Sequence, residues 1–177
     1  RSVFYLDSRS RTAVFIVASG DSRWRAALTP LNLYFRDMIQ RVSENYSVDV
    51  QHVSNWDEAA RILYEHAPYD LLIILGHGNS EGIALSAEGV LDLESDINPQ
   101  TFRRLNPEGR ILCCACEAGG TGQSCDEFTI AHHVAEASHV RVRAPRQEVT
   151  ATDGERFLFR DTEVASHLAL SGRFDHG

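Results

Sequence analysis

Apolar and polar positions follow two rhythms along this chain. Thr12 to Ser19 (TAVFIVAS) is a short β-branched apolar run closed by Gly20 and Asp21, the pattern of a buried strand. Between Leu31 and Val42 the residues Leu31, Tyr34, Phe35, Met38, Ile39 and Val42 recur at helical spacing, with Pro30 at the helix start. Val48 to Val53 predicts a second strand. Ser54 or Asn55 then caps a helix from Trp56 to about His66, whose apolar stripe is Trp56, Ala59, Ala60, Leu63 and Tyr64. Asp70 to Leu75 (DLLIIL) is apolar without interruption, so both faces of this strand must be covered, as in a parallel sheet between helices. It runs into Gly76-His77-Gly78.

Gly82 to Leu93 predicts a hairpin (IALS, then VLDL) turned near Glu88-Gly89. A short helix is expected around Pro99 to Leu105. Gly109 to Cys116 (GRILCCAC) is the next buried strand, and it ends at Glu117-Ala118-Gly119-Gly120. Ser124 to Ala137 reads as a helix and Val140 to Ala144 as a strand. From Gln147 onward the pattern predicts a hairpin and a short helix near Thr162 to Leu170. Strand and helix alternate through most of the chain. Right-handed crossovers turn that order into an α/β fold: a mainly parallel β-sheet sandwiched between α-helices, with a small hairpin insertion. With no repeat or linker in view, residues 1–177 are expected to form a single domain.

Composition narrows the function classes. At 43% hydrophobic and 24% charged residues, the chain has the makings of a core and not those of a disordered segment. The net charge of −8 argues against nucleic acid or an anionic membrane as a partner. No apolar run approaches the roughly 20 residues that cross a bilayer. No stretch reads as a signal peptide, and a start at Arg1 rather than Met suggests a processed product or an excised domain of a longer chain. All 17 basic residues are Arg, which fits a GC-rich genome or selection against lysine modification. Of the four cysteines, Cys113, Cys114 and Cys116 share one apolar stretch, where neighbours on alternating faces pair poorly. A reducing compartment is expected, either a bacterial cytoplasm or the cytosol of a host.

In an open α/β sheet, ligands bind beyond the carboxyl ends of the strands. Two strands here end in reactive groups, one at His77 and the other at Cys116. The chain between them is long enough for a hairpin, a helix and a return to the neighbouring parallel strand. An imidazole beside a thiol stabilises the thiolate and later protonates the leaving amine. Gly78 has no side chain to shield its N–H, which with the N–H of Cys116 suits an oxyanion. Gly119 and Gly120 let the chain turn away from the sulfur.

An apolar strand ending in His-Gly, and after it one ending in Ala-Cys, resembles the caspase–hemoglobinase clan of cysteine peptidases. DLLIILGHG and RILCCACEAGG are similar to the two motif blocks of its CHAT, legumain, clostripain and toxin-autoprocessing branches. Ala115-Cys116-Glu117-Ala118-Gly119 is nearest the CHAT and legumain style, and GIALSAEGVLDL resembles the hairpin between the blocks. The caspase form, with Gln before Ala-Cys, is absent. The resemblance implies a caspase-like fold and peptide-bond hydrolysis through a thioester. Cys116 would be the nucleophile and His77 the acid and base, with the Gly78 and Cys116 amides as oxyanion hole. It also implies a protein or peptide substrate, no cofactor, and control by processing or by an activating partner domain.

Glu117, Asp126 and Asp153 are candidates for steering a basic substrate side chain. The alternative is ordinary turn and helix-start carboxylates. Arg141, Arg143, Arg146, Arg156 and Arg160 cluster late in the chain, and toxin-autoprocessing relatives bind inositol polyphosphate through such clusters. Cys113, Cys116, Cys125, His132 and His133 form a loose metal-ligand set, but strand geometry sends residues 113 and 116 to opposite faces, and no metal is expected. Cys113 and Cys114 are read as packing residues on the two faces of a covered strand. A catalytically inactive interaction module of the same fold is the alternative to the peptidase.

Overall fold

The apolar run at Thr12 forms β1 (Thr12–Ala18), which sits inside a five-stranded sheet. The computed structural model describes residues 11–19, 38–115, 118–120 and 127–144. Beside β1 lies β2 (Ser47–Val53) on one side and β3 (Tyr69–Leu75) on the other. β7 (Leu105–Cys114) lies next to β3, and β8 (Arg141–Arg143) completes the order β2-β1-β3-β7-β8. All four pairings are parallel. Counted along the chain this is the doubly wound order 2-1-3-4-5, in which the winding reverses between β1 and β3.

The uninterrupted apolar strands are explained by two cores. Val14, Ile16, Leu72, Ile74, Ile111 and Cys113 face one. They meet there Trp56, Ala59 and Leu63 of α1 (Trp56–Glu65) and Ile130, Ala131 and Val134 of α2 (Ile130–Ser138). Phe15, Val17, Ile73, Leu75, Leu112 and Cys114 face the other core, with Met38 and Val42. Alternate residues of each strand therefore serve opposite layers, as the period of a strand requires. Residues 38–42 are helical, in agreement with the pattern read there; the first part of that expected helix lies outside the described residues.

α1 starts where expected. Asn55 is its cap, accepting from the Glu58 amide at 2.8 Å, and the Glu58 carboxylate accepts from the Ser54 amide at 3.0 Å. Asp57 and Glu58 also place negative charge on the helix's positive end. The Pro99–Phe102 segment forms a 3-10 turn against α1. α2 is shorter than the pattern suggested and begins at Ile130, not near Ser124. The reason is a strong local stop: Thr129 is extended and caps the first turn.

Two further differences matter. The expected hairpin gains a third strand, because β4 (His77–Asn79) pairs antiparallel with β5 (Gly82–Ala84), which pairs in turn with β6 (Val90–Asp92). A run of three residues after Gly76 is too short to register as a strand by periodicity. β7 also begins earlier than expected, at Leu105, with a register shift against Tyr69 and Leu71. Gly109 permits this bulge, since a Cβ there would lie 2.7 Å from the carbonyl oxygens of Asn106 and Asp70. Asp70 ties the same end of the sheet together, accepting from the Thr12 amide at 2.9 Å and the Asn106 amide group at 3.1 Å. Among the described residues no helix is long and apolar enough to cross a membrane.

Candidate active site

The central strands set the site's geometry. β3 and β7 are paired in parallel with Leu75 opposite Cys114 at their carboxyl ends. His77 lies two residues beyond Leu75, and Cys116 two beyond Cys114. The two strand ends, Leu75 and Cys114, therefore lie side by side at one edge of the sheet. Cys116 itself lies outside the described residues, as do Glu117, Asp126, Asp153 and Cys125.

The residue before Cys116 is held close to the histidine strand. A Cβ on Gly78 would lie 2.9 Å from the Cβ of Ala115 and 2.5 Å from the carbonyl oxygen of Gly82. Glycine at 78 is thus required by close packing: it lets β4 slide between its hairpin partner and the residue next to Cys116. Gly76 is pressed similarly, 2.5 Å from the Ala84 carbonyl oxygen by the same measure. His77 pairs with Ala84 and is half-buried, with its Nε2 out of contact with solvent. The hairpin is fixed at both ends. Asn79 Oδ1 accepts from the amides of Glu81 at 2.8 Å and Gly82 at 3.1 Å. At the far turn, Gly89 packs so tightly on Ser54 and Asn55 that any Cβ would collide with the Ser54 carbonyl.

The start of α2 joins the two site loops. The Ile130 amide donates to Ser80 O in the β4–β5 turn at 2.8 Å. The Ala131 amide donates to Ala118 O, in the loop after β7, at 3.2 Å. The Ala118 amide itself donates back to Ala115 O at 3.3 Å. Gly120 has φ +113°, a left-handed conformation that glycine adopts at little cost, and a Glu127 carboxylate oxygen lies 3.0 Å from its virtual Cβ. His133 Nε2 reaches Ser95 O at 2.7 Å, so α2 also grips the loop after β6.

No protein-family model matches the chain, and no curated protein matches its sequence. The residues and their placement therefore carry the functional reading.

Electrostatics separates the described cysteines from a nucleophilic role. Cys113 is sealed in one core, and burial pushes its thiol up to about 12. Cys114 is sealed in the other, and burial, then the neighbouring Cys113, raises it well above the thiol range. Both stay protonated at neutral pH, the unreactive form. They are the packing residues that the alternation implied. Of the loose metal-ligand set, Cys113 is turned into the core, while the described histidines serve α2: His132 caps it and His133 anchors it. On β8, Val142 is buried and Arg141 and Arg143 alternate with it. Arg146, Arg156 and Arg160 lie outside the described residues.

Reading along the chain misses the residues that clamp the site: Thr129, His132 and the first two amides of α2. The available signal is Thr129-x-x-His132, which has the spacing of a capping box but carries histidine where glutamate or glutamine is usual.

Proposed function

We propose that this chain is a caspase-like cysteine peptidase domain that cleaves peptide bonds through a thioester acyl-enzyme. In this reading the Cys116 thiolate attacks the scissile carbonyl, and His77 stabilises the thiolate and then protonates the departing amine. The amides of Gly78 and Cys116 bind the oxyanion. Water then attacks the thioester, with His77 as base, and Cys116 is released as thiol. Glu117, Asp126 and Asp153 are the candidate determinants for a basic substrate side chain.

The observation that carries the proposal is the pairing of Leu75 with Cys114, with His77 and Cys116 each two residues beyond. The contact of Gly78 with Ala115 supports it, because it brings the segment after His77 against the residue before Cys116. The resemblance of the two motif blocks to clan peptidases points the same way.

Incubating the chain and its Cys116→Ala variant with a mixed peptide library, and reading products by mass spectrometry, tests the proposal. Cuts made by the wild type and lost in the variant are expected. Cleavage that persists in a folded Cys116→Ala protein would overturn the assignment of the nucleophile. If the wild type makes no cuts with or without inositol hexakisphosphate, and Cys116 alkylates no faster than Cys113 and Cys114, the inactive module is the better reading.

A further inference from the structure

The cap of α2 is built in a way that depends on a proton. Thr129 is the N-cap and His132 the third helical residue. The Thr129 amide donates to His132 Nδ1 at 3.1 Å, and the Thr129 hydroxyl lies 2.8 Å from the same nitrogen. A backbone N–H can only donate, so Nδ1 must offer its lone pair, and a neutral ring then carries its proton on Nε2. In return the His132 amide approaches the Thr129 hydroxyl oxygen at 3.5 Å. His132 is 4% exposed, and the ring of Phe128 stacks on it at 5.5 Å between centroids. Glutamate or glutamine in this position accepts through an oxygen that stays an acceptor across the neutral range. Histidine loses its acceptor when Nδ1 is protonated.

Immediately after this cap comes the clamp on the site. The next two amides, Ile130 and Ala131, hold Ser80 O of the histidine hairpin and Ala118 O of the cysteine loop. We propose that His132 is a proton-sensitive positioning residue: neutral, it fixes the start of α2 and so holds the two site loops together; protonated, it releases them. The link to catalysis rests on the peptidase reading, whereas the cap and clamp do not.

Charged and titratable groups lie on the elements around the cap. On α2 itself the neighbours are His133, engaged with Ser95 O, and exposed Glu136. Glu127 precedes the cap, its carboxylate against Gly120. The 3-10 turn Pro99–Phe102 packs on α2 and carries no ionisable side chain. On β8 it is Val142 that shares the core with α2, with Arg141 and Arg143 on the alternate positions. The folded cap requires the unprotonated Nδ1 and the unfolded chain does not. Protonating Nδ1 removes the acceptor that the Thr129 amide uses, so the cap weakens as pH falls.

The test uses the full chain carrying Cys116→Ala, which prevents self-cleavage. Nitrogen-15 NMR of His132 at pH 7.5 should show a neutral ring with its proton on Nε2. Acidification toward pH 5 should protonate it and lower the exchange protection of the Ile130 and Ala131 amides by about fivefold, the usual scale of a lost cap. His132→Gln should keep that protection at both pH values, and His132→Leu should lack it at both. A proton on Nδ1 at pH 7.5, titration without loss of protection, or equal behaviour of the Gln and Leu variants would overturn the proposal. With Cys116 restored, His132→Gln should shift the acid limb of kcat/KM to lower pH, and an unmoved limb would remove the link to catalysis. Absence of peptidase activity in the wild type would count against the proposed function alone, because the NMR measurement reads the cap directly.

Discussion

Tyr69 opens β3 with its ring 1% exposed and its hydroxyl buried without a hydrogen-bond partner among the described residues. A hydroxyl stripped of water and given nothing in return is a local cost. The ring is still well placed, edge-on to His66 at 5.5 Å and packed in the core that α1 covers. Tyr69→Phe keeps this packing and removes the stranded group. It is expected to raise stability by about 1 kcal/mol in denaturant titration; a loss of that size would mean the hydroxyl has a partner in solution. Tyr69 is invisible to sequence reading, because an aromatic residue before an apolar run reveals nothing about the reach of its oxygen. His77 and Gly78 are visible, since their neighbours along the chain are informative by themselves.

At the scale of elements, the two helices end and begin on different kinds of signal. α1 has an Asn cap with Glu58 three residues on, and the pattern locates its start. α2 ends at His139, which takes φ 57° and ψ 23°, and its amide donates to Ala135 O at 2.9 Å. This is the left-handed closing position that glycine fills most easily. His139→Gly is expected to stabilise the chain by about 1 kcal/mol, since it removes the Cβ penalty while keeping the bond. An unchanged thermal midpoint would show that the His139 side chain makes an offsetting contribution. The pattern misplaces the start of α2 because Ser124 and Asp126 offer helix-start chemistry that resembles the true cap at Thr129. Local pattern cannot rank competing caps; the docking of Ile130 and Ala131 onto Ser80 and Ala118 does.

At the scale of the molecule, the five-stranded parallel sheet divides two cores, and each holds one of the two described cysteines. Burial raises Cys113, Cys114 and Tyr69 alike, and each is neutral when protonated. The folded state therefore holds these protons beyond the pH at which the unfolded chain loses them. For Cys113 this contribution is complete below about pH 9 and is lost as pH rises toward about 12. Stability should fall by up to about 1.4 kcal/mol per pH unit for Cys113 over that window. Urea titrations from pH 8 to 11 check this. A flat profile would mean that alkali reaches the thiols without unfolding, and Cys113→Ala should flatten the slope if Cys113 is its source.

The sequence by itself determined the alternation of sheet strands and helices among the described residues, the need to cover both faces of β3 and β7, and the placement of His77 after a buried strand. These come from local periodicity and from glycine and cap chemistry, which act over a few residues. The hairpin and short helix expected from Gln147 onward lie outside the described residues. The tertiary structure decided the pairing of Leu75 with Cys114, the third strand of the hairpin sheet, the approach of Gly78 to Ala115, and the role of His132. Each depends on steric fit or hydrogen bonding that is settled only when the chain packs. A hydrophobic pattern states that a residue is buried. The partner it is buried against is chosen by register and by the space a missing side chain leaves.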